Sequence, residues 1–559
     1  MTRQRRGWML LVASWLLFYG CGSQSGSTTG GSTTDTGSTT GTTTPSEIDR
    51  TAYAVSVADS AGSYDSADVV SNVAFGQTVS IDLSAGTAQS TSDAAQTITT
   101  DGVTLLASAD GSVAITKTDT GLTINSTLSD NVRYVLSGHL AGTLSVSSAA
   151  AYQLYLYGAT ISATSGPALD LESTQKAFIV TASGTTNQLA DSATRTLTMK
   201  AAVYGKGPMI FSGDGTLQVT GSYKHGIFSN DYIRVRGGTI NVAVSARDTI
   251  RSVNGFIFDD GNLTINGTGT TVDDESKGIK VEGSESTGTG RGYIVINGGY
   301  ITITSVGKAI TAAWDIDEDA TTASTADDPS PYVVINQGVI TATTTGTPYE
   351  YVTGGTTVSC SPEGIEAKSR LTINSGYLVI NTSDDALNAG KSIVINGGYS
   401  YCRSSSNDAI DSNGTLTLAG GVVVAIGAAN PEGPFDCDNN TFAITGGTFV
   451  GIGGTISRPT ASQNTVVLGD VRSGTVMSVV AADGTSVFSY SVPQTCATMV
   501  LSSPNLKSGT QYSLRSGGTI SAANLFNGLY LGSLGCSGGT AGTSFTASSG
   551  ITKLGGVYF

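Results

Sequence analysis

Ile294-Val-Ile-Asn-Gly-Gly-Tyr-Ile-Thr-Ile303 and Ile393-Val-Ile-Asn-Gly-Gly398 carry the pattern on which the fold turns. Each alternates apolar and outward-facing positions, then breaks at a glycine pair; in the first, the alternation visibly resumes. Period two marks half-buried strands, and the glycines supply the positive φ of a tight turn between them. The same phrase returns as Arg234-Val-Arg-Gly-Gly, Val333-Val-Ile-Asn-Gln-Gly, Leu371-Thr-Ile-Asn-Ser-Gly, Leu416-Thr-Leu-Ala-Gly-Gly and Phe442-Ala-Ile-Thr-Gly-Gly. Its closing glycines at Gly376, Gly398, Gly421 and Gly447 are spaced by 22, 23 and 26 residues.

A second signature opens a third short strand: His225-Gly-Ile, Asp248-Thr-Ile, Lys277-Gly-Ile, Lys308-Ala-Ile, Glu363-Gly-Ile, Asp385-Ala-Leu and Asp408-Ala-Ile. Three short strands per repeat make one coil of a parallel β-helix, with Ile, Val and Leu stacked inside. A β-sandwich does not predict two phased turn signatures. Asn297, Asn336, Asn374 and Asn396 recur at one corner and read as structural hydrogen bonding along the stack. After Ser457 the strands lengthen, which predicts an antiparallel end cap. The expected fold is therefore all-β, with a parallel β-helix over 51–457 and a small C-terminal antiparallel β cap over 458–559.

The chain has 559 residues, 28 of them basic and 43 acidic, for a net charge of −15. That balance excludes nucleic acid as a partner, because phosphate contacts need clustered Lys and Arg. Two histidines rule out a His-rich metal site. The expected state is a monomer.

Residues 1–20 read as an export signal. Arg3, Arg5 and Arg6 precede the apolar run Trp8–Leu17, too short for a comfortable membrane span. Cys21 follows Gly20 and reads as the lipidated first residue of a lipoprotein. Residues 21–50 are rich in Gly, Ser and Thr and form a flexible linker. Export to the outer membrane or cell surface, held by the lipid, is the expected location. Of the remaining five cysteines, Cys496 and Cys536 lie close enough in sequence to pair.

The residues opening each third strand form one column, and residues a few places on form another: Phe228, Arg251, Lys280, Ala313, Glu366, Asn388 and Asp411. Adjacent strands lie about 4.8 Å apart, so the C-terminal end stacks Glu363, Asp385 and Asp408 beside Glu366, Asn388 and Asp411, with Asp384 adjoining. Like charges so placed either spread into water or share a cation. Calcium suits them, since it takes six to eight hard oxygen ligands. Asp315, Asp317 and Asp319 open like an EF-hand loop but lack its glycine and read as a solvated loop. Trp314, at the mouth of that insertion, either stacks on a sugar or packs its loop. Tyr332, with Tyr293, Tyr300, Tyr349 and Tyr351, is a candidate extension of such a platform.

Tyr134-Val-Leu-Ser-Gly, Tyr223-Lys-His-Gly-Ile, the Ile-Asn-Gly-Gly repeats, Ser383-Asp-Asp-Ala-Leu and Ser503-Pro-Asn-Leu-Lys-Ser-Gly-Thr together resemble the bacterial carbohydrate-binding right-handed β-helix proteins. That family is similar in fold to pectate lyases. The resemblance implies a right-handed helix, binding of cellulose- or pectin-like polysaccharide, and calcium between coils without established cleavage. Asp384, Asp385 and Asp408 match the family's acidic motif, while Lys277 and Lys308 stand where that motif often has Asp. The expectation is a calcium-stabilised, non-catalytic polysaccharide-binding surface lipoprotein. A polysaccharide lyase acting on uronates and a structural adhesin are the alternatives.

Overall fold

The computed structural model describes residues 45–62, 65–90, 95–97, 106–108, 111–195, 199–271, 274–283, 292–313, 330–532 and 534–556. Cys21, Trp314 and the acidic run Asp315–Asp319 lie outside the described residues. Thr43–Phe559 form one compact unit. Among the described residues no helix is long and apolar enough to cross a membrane.

The alternating segments are strands, as expected. In Tyr332–Thr344, Val333 and Ile335 are fully buried while Tyr332 and Val334 are half-buried on the outer side. Repeats stack in parallel: Arg370–Ile373 pairs with Tyr332–Thr344 on one side and Ser392–Ile395 on the other. A second ladder runs through Tyr377–Thr382 and Tyr399–Ser404. A third is a 14-stranded sheet ending at Ile410–Ser412. The corner glycines are required: Gly398 has φ of 77°, and a Cβ there would lie 2.5 Å from the carbonyl oxygen of Gly376. Side chains from all three ladders fill one continuous core of Ile, Val and Leu.

The all-β class stands, but the expected right-handed parallel β-helix with a small C-terminal cap is corrected. Tyr293–Ser305 and Tyr332–Thr344 each run unbroken through the first and second ladders, joining both into one strand network that closes as a barrel. Gly299, at φ of 64°, bends the first of these strands without ending it. The antiparallel part is not a small cap either. Cys496–Ser502 pairs with Thr448–Gly453 and with Thr465–Val471, and all three belong to the barrel. Pro459–Ala461 and Ile551–Leu554 also join the barrel, and the other late strands make a nine-stranded sheet that takes in Ser46–Glu47. Its core includes Phe488, Tyr490 and Phe526. Cys496 and Cys536 do not form a disulfide.

From Ser46 the chain runs as a strap over the barrel. The Ile48 amide donates to the Leu525 carbonyl at 3.2 Å, and the Val57 amide donates to the Asn297 carbonyl at 2.8 Å. Tyr53 sets its ring edge-on to Tyr399, with centroids 5.5 Å apart. Farther along, Val70, Val73 and Phe75 cover Phe178 and Ile210 on the first ladder.

Candidate functional site

The third ladder brings the expected column into register. Phe228, Arg251, Lys280, Thr311, Glu366, Asn388 and Asp411 are successive partners, and Asp411 bridges to Asp436. Thr311 holds the place expected for Ala313, which follows that strand.

Glu363 and Glu366 are neutralised by the chain itself. The Lys308 ammonium lies 2.7 Å from Glu363 Oε2 and 3.0 Å from Glu366 Oε1, and Lys368 also pairs with Glu366. Burial works against ionisation of Glu366, but Lys308 and Lys368 outweigh it and hold the carboxyl well below its usual range. Glu363 is pushed up by burial and then by Glu366. The sequence placed Lys308 in this column without revealing that it serves both glutamates.

Among the described residues, the aspartates of the next repeats have no such cation. Asp385 accepts from the Asp408 amide at 3.1 Å and from Asn388 Nδ2 at 3.4 Å. Asp408 accepts from the Gly433 amide at 2.6 Å, and Asp384 from Asn407 Nδ2 at 2.7 Å. Burial, followed by the charges of Glu363 and Asp384, drives Asp385 well above the carboxylate range. Asp408 rises to about 7, chiefly through burial. Asp411 rises to about 6 through burial and the facing Asp436. Asp436 and the Gly433 amide were missed because they belong to a repeat whose opening residue is glycine, and Asn407 because it lies just before the Asp408 motif. The donors are the hard oxygens calcium prefers, and their charge is uncompensated. Among the described residues, no three His, Cys, Asp or Glu side chains are grouped as a ready metal site.

Tyr332 lies on the first ladder. Its ring stacks on Tyr293 with centroids 6.2 Å apart and planes at 26°. The Arg370 guanidinium carbon stands 6.0 Å from the Tyr332 centroid. Both rings keep part of their surface in solvent. The other expected tyrosines are elsewhere. Tyr300 is on the second ladder opposite Val339, and Tyr349 and Tyr351 share the hairpin Tyr349–Thr353 with Thr356–Cys360. Arg370 opens a strand in place of an aromatic residue, so repeat alignment alone gave it no role.

The site is thus a barrel of stacked parallel repeats with partly exposed rings on one ladder and carboxylates clustered on another. A model of the carbohydrate-binding domain-containing protein family matches residues 118–409, more than half of the chain, and the chain belongs to that family. No curated protein matches it. Among solved structures, the polysaccharide lyase-like protein from C. thermocellum, determined as a gadolinium derivative, is similar at 18% identity and a TM-score of 0.37. The alignment covers 53% of this chain and 96% of that one.

Proposed function

We propose that this protein is a non-catalytic polysaccharide-binding lipoprotein of the cell surface, anchored through Cys21 and stabilised by calcium. The observation that carries the reading is the stacked Tyr293–Tyr332 pair, half-exposed on a rigid strand ladder within the family-matched region. Aromatic side chains held by a sheet bind sugars at small entropic cost, because both rings are ordered before the ligand arrives. Trp314 belongs to the same reading as a second stacking residue. The cluster of Asp384, Asp385, Asn388, Asp408 and Asp411 is where calcium would relieve carboxylate repulsion, with Glu363 and Glu366 at its edge. Calcium supplies charge neutralisation there, while the side chains supply hard oxygens from successive repeats.

The test is a pull-down of the full chain on insoluble cellulose and on immobilised polygalacturonate, beside an absorbance assay for unsaturated products. Retention without new absorbance is the expected result. Release of unsaturated sugars would make the protein a lyase, and retention on neither polymer would leave a structural role.

A further inference from the structure

Strand alternation sets three rows side by side on the outer face of the first ladder. Tyr332, Val334 and Asn336 point outward from one strand, as do Arg370, Thr372 and Asn374 from the next. The preceding strand gives Tyr293 and Val295, and the following one Ser392, Val394 and Asn396. The middle row is a floor of small apolar or hydroxyl side chains. Tyrosines and Arg370 rise on one side of it, and asparagines on the other. Tyr293, Val295, Tyr332, Val334, Asn336 and Asn374 line a cavity of about 420 Å³ here, with Ala61 and Gly62 of the strap at its upstream end.

The asparagines form a directed chain. Asn396 Nδ2 donates to Asn374 Oδ1 at 2.9 Å, Asn374 to Asn336 at 2.8 Å, and Asn336 to Asn297 at 2.9 Å. Asn297 in turn donates to Asp259 Oδ1 at 2.9 Å. A primary amide has two N–H donors and an oxygen with two lone pairs. The chain uses one donor and one lone pair at each inner step. Asn374 and Asn396 are exposed, so these two rungs offer the groove a further donor and acceptor of fixed direction. A sugar hydroxyl, itself donor and acceptor, is the natural complement.

Rungs of a sheet repeat about every 4.8 Å along the stack. One pyranose adds a similar length to an extended 1→4-linked chain. A polymer lying across the strands would therefore meet the same floor and the same amide at each successive sugar. Lying along a strand, it would meet a turn after a few residues. Among the described residues no Lys or Arg lines the cavity, and the chain as a whole carries −15, so a polyanion gains little here.

We infer that this groove binds a neutral, linear, 1→4-linked polysaccharide laid along the stacking axis, about one sugar to each rung, packed against the ring edges of Tyr293 and Tyr332 with its hydroxyls on the asparagine row. The inference rests on the polysaccharide-binding reading above and fixes its site, polarity and direction.

The experiment titrates the full chain with cello-oligosaccharides from disaccharide to hexasaccharide, and with polygalacturonate in chelator. Affinity should climb with each sugar to about four, the number of rungs, and then level off. Tyr332→Ala should weaken hexasaccharide binding about ten-fold, one aromatic contact's worth. Thr372→Trp, which fills the floor from a half-buried outward position, should abolish binding with little change in melting temperature. Wild-type binding with both variants unimpaired would place the site elsewhere and leave the general reading intact. Tighter binding of polygalacturonate in chelator would overturn the neutral-glycan assignment. Failure of the wild type to bind any of these ligands would overturn both the groove and the reading beneath it.

Discussion

Arg234 Nη1 lies 3.2 Å from Asp68 Oδ2 across 166 residues of sequence, and both side chains are almost wholly buried. Asp259 holds the same guanidinium at 2.7 Å from the other side. Arg234 stands in the same row of the first ladder as Ile257, Val295 and Val334, and the strap supplies the carboxylate that pairs with it.

Asp68→Asn removes half of that neutralisation and leaves a guanidinium buried under the strap. Breaking a buried pair from one side costs about 3–5 kcal/mol. Asp65→Asn, on a carboxylate with half its side chain exposed, should cost under about 1 kcal/mol. Urea unfolding of the two variants checks the contrast, and equal midpoints would refute it.

Stability should depend on pH in a direction set by the acidic cluster. Asp408 and Asp411 are raised from 3.8 to about 7 and about 6, and Asp385 is raised as well. The folded state therefore binds more protons than the unfolded chain between pH 3.8 and about 7, and stability falls as pH rises through that window. In chelator the melting temperature should be higher near pH 5 than near pH 8, by several degrees. Calcium at the higher pH should restore it, as a ligand of the folded state does.

Asp385→Asn keeps the side-chain shape and removes a charge. If calcium bridges this cluster, the variant is more stable than wild type in chelator, yet gains less on calcium addition. Melting curves of both proteins in both conditions decide it. An undiminished calcium response would remove Asp385 from the ion's ligands.

The asparagine row should show graded sensitivity to charge. Asn297→Asp sets a buried carboxylate against Asp259 and should cost about 3 kcal/mol or more. Asn396→Asp, at the exposed end, should change stability by less than about 0.5 kcal/mol. Equal effects in thermal melts would mean the row is not one connected chain.

The anchor has its own test. Cys21→Ser should move the protein from the membrane fraction to the soluble one with an unchanged melting profile. A variant that stays with membranes after a high-salt wash is held by something other than a lipid on Cys21.

Much of the strand order was legible because the constraints are local. The Ile-Val-Ile-Asn-Gly-Gly phrase fixes which side chains face the core, and the register that stacks Glu366, Asn388 and Asp411 follows from counting. Closure into a barrel was not legible. It depends on whether the chain continues through Gly299 and Gly338 or turns there, a matter of a few backbone angles that alternation does not encode. The pairing of Cys496–Ser502 with a strand some fifty residues earlier is a tertiary choice of the same kind. The acidic cluster could be read as a column, but its division into a lysine-neutralised end and an uncompensated end required knowing where Lys308 and Lys368 reach. Arg370 escaped notice because its part is played against the Tyr332 ring, not within its own repeat.

The strap has a mechanical consequence. Tension applied upstream of Ser46 does not reach the barrel core directly. It first meets the two-residue pairing of Ser46–Glu47 with Asn524–Leu525, then the wedge of Tyr53 against Tyr399, then the Val57 amide on Asn297. Beyond these stands the buried ion pair of Asp68 and Arg234. Contacts loaded one after another yield in turn, each absorbing work and releasing slack before the next bears the load. The strap thus hands load along in sequence, from the short Ser46–Glu47 pairing to the buried ion pair of Asp68 and Arg234.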